Sequence, residues 1–167
     1  MKLLEGYVKN RTLEFTLAAM FGALVLISRQ IALPIFIPPL KGLDPSGIFY
    51  SSMLLVLSYP YIWLFSGILA FTSVMPLPAF PCWAIGFHIF YFLSRLIGLR
   101  WARYFSFFSS PINGIVTLII FGWLKIFPFN VFFIPVMTKT LSQGVLAFML
   151  VPLIIKLLEK FGVITYE

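Results

Sequence analysis

The sequence predicts an all-α membrane protein: six transmembrane helices in one bundle, with the N-terminus and the C-terminus both cytoplasmic. Composition, run length and charge placement carry this expectation. Hydrophobic residues make up 61% of the 167 and charged residues only 10%, and the mean hydropathy is +1.04. A soluble domain of this length needs far more polar surface, so the solvent is lipid. The apolar residues fall in long runs, and the few Lys and Arg stand at the ends of those runs, where they set orientation. Residues 1–167 read as one domain, and the compartment expected is the cell membrane, spanned several times.

The elements follow in order. Met1 to Arg11 is basic and leads into the apolar run Leu13 to Ile27. No small-x-small cleavage site follows it, where the chain reads Ser28-Arg29-Gln30, so a retained first span is expected and not a removed signal. The next run, Ile48 to Val74, would be about 40 Å long as one helix, too long for a ~30 Å hydrocarbon core without strong tilt. Ser58-Tyr59-Pro60-Tyr61 sits at its middle, and Pro60 can open a helix there. The run is therefore two short helices or one kinked helix.

Charge decides between them. With six spans, Lys2, Lys9, Arg11, Arg95, Arg100, Arg103, Lys156 and Lys160 lie inside, against Arg29, Lys41, Lys125 and Lys139 outside: eight against four. With five spans, Arg95 to Arg103 and Lys156 to Lys160 change sides, giving five against seven and breaking the positive-inside rule. Six spans are expected. The remaining spans are Trp83 to Ile97, Ile112 to Phe127 and Val131 to Leu158, with Pro135 opening or kinking the last and Pro152 placed to kink it again. The outer loops are then Arg29 to Pro45, Met75 to Cys82 and Ile126 to Pro135, rich in proline. The inner loops are Ser58 to Tyr61 and Gly98 to Ser110.

Several chemistries are not expected. Cys82 stands alone, so neither a disulfide framework nor a cysteine metal cluster is expected. The net charge of +7 is spread among topology anchors with no dense basic run, which sets nucleic acid aside. No paired carboxylates, nucleophile–base set, phosphate-cradling glycine loop or Walker sequence is present, so no enzyme and no cofactor are expected.

The polar residues inside the apolar runs are the candidate site. Lys139 and Gln143 are four apart on one face of the last span, and Thr138 and Ser142 widen that stripe. Counted from Pro135, Lys139 lies about 6 Å in, where it either lines a cavity or snorkels to the headgroups. His88, about 10 Å into the fourth span from Pro81, is either a ligand contact or a structural hydrogen bond. Trp83 is an interface anchor or a stacking surface, and Trp123 an anchor. Asn113 opens a helix or contacts a neighbouring one. Asp44-Pro45-Ser46 is a helix-start signal. Arg29 and Lys41 can line an outer entrance, and with Lys125 and Lys139 they favour an anionic ligand such as a carboxylate. Ala18/Gly22 and Ala19/Ala23 are small-xxx-small pairs, which permit close helix approach either within the bundle or to a partner.

The first helix carries Thr16-Leu17-Ala18-Ala19-Met20-Phe21-Gly22-Ala23, and a long loop leads into Gly42-Leu43-Asp44-Pro45-Ser46-Gly47-Ile48. With the six-span layout, these resemble the substrate-binding S components of energy-coupling factor (ECF) vitamin transporters. The layout covers nearly the whole chain; the residue-level likeness is confined to these two segments. The Gly-Pro pair often found between the second and third spans of that family stands here as Tyr59-Pro60, and no substrate-specific motif of the family is recognisable. The resemblance implies high-affinity capture of a small, vitamin-like solute in the outer half of the bundle, in the region of Lys139, Gln143, His88, Trp83, Arg29 and Lys41. It implies docking through Ala18, Ala19, Gly22 and Ala23 on a transmembrane coupling subunit driven by two cytoplasmic ABC-type ATPases. The alternative is a non-transporting scaffold resembling the rod-shape-determining membrane proteins. An intramembrane enzyme using His88 lacks an acid partner.

Overall fold

A computed structural model describes residues 4–31, 45–73 and 75–165, which are helical almost throughout. Among them no strand forms; an isolated bridge pairs Val8 with Ile164. Helix α1 spans Arg11–Gln30, and Asn10 caps it by accepting the Leu13 N–H at 2.7 Å. The second apolar run is two helices, α2 (Ser46–Val56) and α3 (Pro60–Phe71), and Pro60 opens α3 as the sequence suggested. Each rises only about 16–18 Å. Nearly every residue of α2 is buried, and it packs on both α1 and α7, which puts it at the centre of the bundle. A helix apolar on every face belongs in such a place.

The interruption between α2 and α3 leaves backbone groups that must find partners outside the helices. The Glu14 carboxylate accepts the Ser58 N–H at 2.6 Å, and the Arg95 guanidinium donates to the Leu57 carbonyl at 2.7 Å. The N-terminal segment crosses the same break: Tyr7 N–H donates to Val56 O at 2.8 Å, and Tyr59 N–H to Leu4 O at 3.1 Å. Arg95 is held between the rings of Tyr7 and Tyr91, 4.4 and 4.7 Å from their centroids. The chain's end returns to this place, with Lys9 N–H on Val163 O and Thr165 N–H on Tyr7 O.

Two expected loops are helical, and a third, Ile126 to Pro135, is helical from Phe129 on. Helix α4 spans Pro76–Ile97 and starts seven residues before Trp83. Its opening prolines read as loop punctuation, but proline in a first helical turn forfeits no hydrogen bond. The stretch Gly98 to Ser110 is not a loop either. Gly98, at φ 74°, reverses the chain, and helix α5 (Leu99–Phe105) begins at once. A 3-10 turn at Ser106–Phe108 then leads into α6 (Ser109–Trp123). Pro111 explains the turn: it has no N–H to offer the carbonyl of Phe107, four residues back. The last helix, α7 (Phe129–Lys160), runs unbroken for 32 residues with Pro135 and Pro152 inside it.

Among the described residues four stretches are long and apolar enough to cross a membrane: Arg11–Gln30, Pro76–Ile97, Leu99–Trp123 and Phe129–Lys160. Large apolar side chains such as Phe71, Leu77, Leu96 and Ile134 project outward, while Phe65, Phe87, Phe90 and Tyr91 fill the core. A helical exterior this apolar is that of a membrane protein.

Candidate functional site

A cavity of about 150 Å³ lies where α1, α2, α4, α6 and α7 meet. Lys139, Thr140 and Gln143 face it from the middle of α7. Ser46 and Tyr50, one turn apart, line it from the start of α2. Ser110, Asn113 and Thr117 line it at i, i+3 and i+7, one face of α6. Arg29 comes from the end of α1 and Trp83 from α4. Helix α2 begins at this cavity, so the partial positive charge of its N-terminus adds to that of Arg29 and Lys139. No carboxylate is among its described lining residues.

The hydrogen bonds divide the lining into fixed and adaptable groups. Tyr50 Oη and Ser110 Oγ pair at 2.5 Å, as do Ser51 and Ser109 beside them, tying α2 to α6. Thr117 donates to the Asn113 carbonyl at 2.8 Å and Thr140 to the Val136 carbonyl at 2.9 Å, so both hydroxyl protons are used locally. Asn113 is 6% exposed, and its Oδ1 has no hydrogen-bond partner. Gly86 makes room for it: a methyl group there would collide with the Asn113 amide. A primary amide can offer a ligand either donors or an acceptor. Gln143 is buried and Lys139 half-buried. Arg29 donates to the Leu69 carbonyl at 2.9 Å and to Thr72 Oγ1 at 2.5 Å, closing the end of α3. Its guanidinium lies 5.8 Å from the Trp83 ring centroid.

Lys139, Gln143, Trp83 and Arg29 therefore come together, while Lys41 and Asp44 lie outside the described residues. Because α7 starts at Phe129, Lys139 stands ten residues in, about 15 Å along the helix, deeper than a start at Pro135 implies. Thr138 and Ser142 do not belong with it: Thr138 is exposed, and Ser142 donates to the Thr138 carbonyl at 2.9 Å.

His88 is not among the cavity's lining residues. Its Nδ1 lies 2.6 Å from the Ala84 carbonyl and its Nε2 3.0 Å from Tyr59 Oη. Nδ1 thus carries the proton and Nε2 accepts from the tyrosine. The ring sits edge-on to Trp63 at 4.6 Å. Counting from Pro81 placed it too near the outer end; from Pro76 it is about 18 Å along α4, level with the α2–α3 break. Of its two readings, the structural hydrogen bond is the one this geometry fits.

The small-residue patch divides. Ala18 and Gly22 are buried, Gly22 facing Phe65 and Ile68 of α3, whereas Ala19 and Ala23 are exposed. Tyr50, Ser110, Gly114, Thr117 and Thr140 joined the site without having been singled out, and Ser46, expected only at a helix start, lines it too. The signal for two of them, Ser110 and Thr117, was present in their i, i+3, i+7 polar spacing with Asn113. Comparison with protein-family models, characterised proteins and solved structures finds no match for this chain.

Proposed function

We propose that this protein is the membrane-embedded binding subunit of an uptake system for a small anionic, vitamin-like solute, working as the S component of an ECF-type transporter. The 150 Å³ cavity carries the reading. It gathers two cations, the N-terminus of α2 and the amides of Asn113 and Gln143, which can hold an anion by charge-assisted hydrogen bonds. Its described lining, two cations among amides and hydroxyls, suits the binding of an anion.

The proposed topology has six spans with both termini in the cytoplasm. The directions of the helices support it. Glu14, near the start of α1, meets the end of α2, and Arg29, at the end of α1, meets the end of α3. Helices α1 and α3 therefore run one way and α2 the other. Arg95, near the end of α4, meets the α2–α3 break, where both chain ends gather. The cavity then opens toward the outer side. Ala19 and Ala23, exposed on α1, are the proposed contact with a transmembrane coupling subunit whose two ATPases supply the energy.

Native mass spectrometry of gently purified protein tests this function. A co-purified small anion that Lys139→Gln fails to retain is expected. Wild-type protein that carries no small molecule and retains a partner polypeptide instead identifies a scaffold and overturns the proposal.

A further inference from the structure

Beside the polar cavity lies a second, larger one of about 490 Å³. Its walls are Met75, Ala79 and Cys82 on the α4 side, with Phe121, Phe127 and Phe132 opposite. Trp83 and Thr117 line both cavities, so the two are adjacent and share these side chains as a common wall. We propose that one ligand occupies both: a small organic anion whose head group lies between Arg29 and Lys139 and whose apolar, ring-sized body lies past Trp83. This rests on the binding-subunit reading and names the ligand class for it.

The physical contrast between the compartments carries the proposal. A cavity of about 150 Å³ holds a group the size of benzene, and here that volume is ringed by polar side chains. It has room for a head group and little more. The 490 Å³ compartment is over three times larger and offers a ligand almost no hydrogen-bond partner beyond Ser73 and Thr117. The Thr117 hydroxyl already donates to the Asn113 carbonyl. A multiply charged or sugar-like body would leave its polar groups unpaired there. An apolar body gains by burial instead.

Trp83 is the junction. Its ring stands edge-on to Tyr50 at 5.8 Å and tilted against Phe87 at 5.3 Å, and the Arg29 guanidinium lies 5.8 Å from its centroid. Held by three neighbours, it is a preorganised surface that a bound ring can pack against without ordering cost. Its role is to match the ligand's length, setting where the head ends and the body begins.

The test uses the whole protein in phosphatidylcholine nanodiscs and three probes: 4-phenylbutyrate, butyrate and the uncharged 4-phenylbutanol. NMR or calorimetric titration should show 4-phenylbutyrate binding at least tenfold more tightly than either other probe. Narrowing the apolar compartment by Met75→Trp, or by Ala79→Leu should the first variant fold poorly, should bring 4-phenylbutyrate down to the level of butyrate and leave butyrate unchanged. Lys139→Gln should weaken both acids. Equal affinity for the two acids, still sensitive to Lys139→Gln, would overturn the two-compartment ligand and leave the anion-binding function standing. Insensitivity of both acids to Lys139→Gln would overturn that function as well. Displacement of 4-phenylbutyrate by phosphatidylglycerol added to the discs would make the occupant an anionic lipid and contradict a soluble one.

Discussion

Lys139 is where the anion argument rests on a single side chain. A charge-assisted hydrogen bond in a partly buried site is worth about 1.5–3 kcal/mol net, so Lys139→Gln should weaken binding of the co-purified solute roughly tenfold to a hundredfold. Lys139→Arg should recover only part, since a planar guanidinium does not replace a compact ammonium. Calorimetric titration reads both; an affinity unchanged within about twofold would place the ligand away from α7. Gly144 gives a residue-scale test of the fold. A methyl there would run into the Phe107 carbonyl oxygen at the 3-10 turn. Gly144→Ala should therefore destabilise by about 1–3 kcal/mol, seen as a lower melting temperature in detergent. Lys139 and Gln143 were legible in the sequence because two polar residues four apart stand out in an apolar run. The place of His88 was not, because its partner Tyr59 is far away in the chain and no local pattern announces such a pair.

At the level of elements, the split of the second run was legible: its length exceeded a bilayer and Pro60 stood at its middle. The start of α4 and the whole of α5 were hidden by the same kind of residue. Prolines 76, 78 and 81 read as loop, yet a helix begins through the first two and carries Pro81 inside it. Arg100 and Arg103 made Gly98 to Ser110 look like a solvated connection, yet Ser106, Ser109 and Ser110 are buried. The α2–α3 break yields a direct test. Glu14 receives a backbone N–H there, so Glu14→Ala should cost about 1.5–3 kcal/mol of stability, while the exposed Glu5→Ala should cost almost nothing. Thermal unfolding of the two variants side by side checks this. The divided small patch gives another. Ala19→Trp, on the exposed side of α1, should leave folding and solute binding intact and abolish uptake. Gly22→Trp should lower stability itself, because Gly22 faces Phe65. If Ala19→Trp supports normal uptake, the coupling surface lies elsewhere.

In the whole molecule, the polar cavity, proposed as an outward anion site, and a latch over the α2–α3 break stand apart. The latch is the N-terminal segment strapped over the α2–α3 break with Glu14 and Arg95 beneath it, and the C-terminal Ile164 paired alongside. The positive-inside count anticipated that both chain ends share a side, and the Val8–Ile164 pairing brings them together. The latch itself left no trace in the sequence, since its bonds go almost entirely to backbone groups. Every functional statement depends on which side of the membrane each end faces. In a Cys82→Ser background, single cysteines at Lys125, exposed in the α6–α7 turn, and at Thr165, exposed beside the latch, report the two sides. With a membrane-impermeant thiol reagent, Lys125→Cys should react in intact cells and Thr165→Cys only after permeabilisation. Labelling of Thr165→Cys in intact cells, with Lys125→Cys protected, would invert the molecule and contradict an outward-facing solute site.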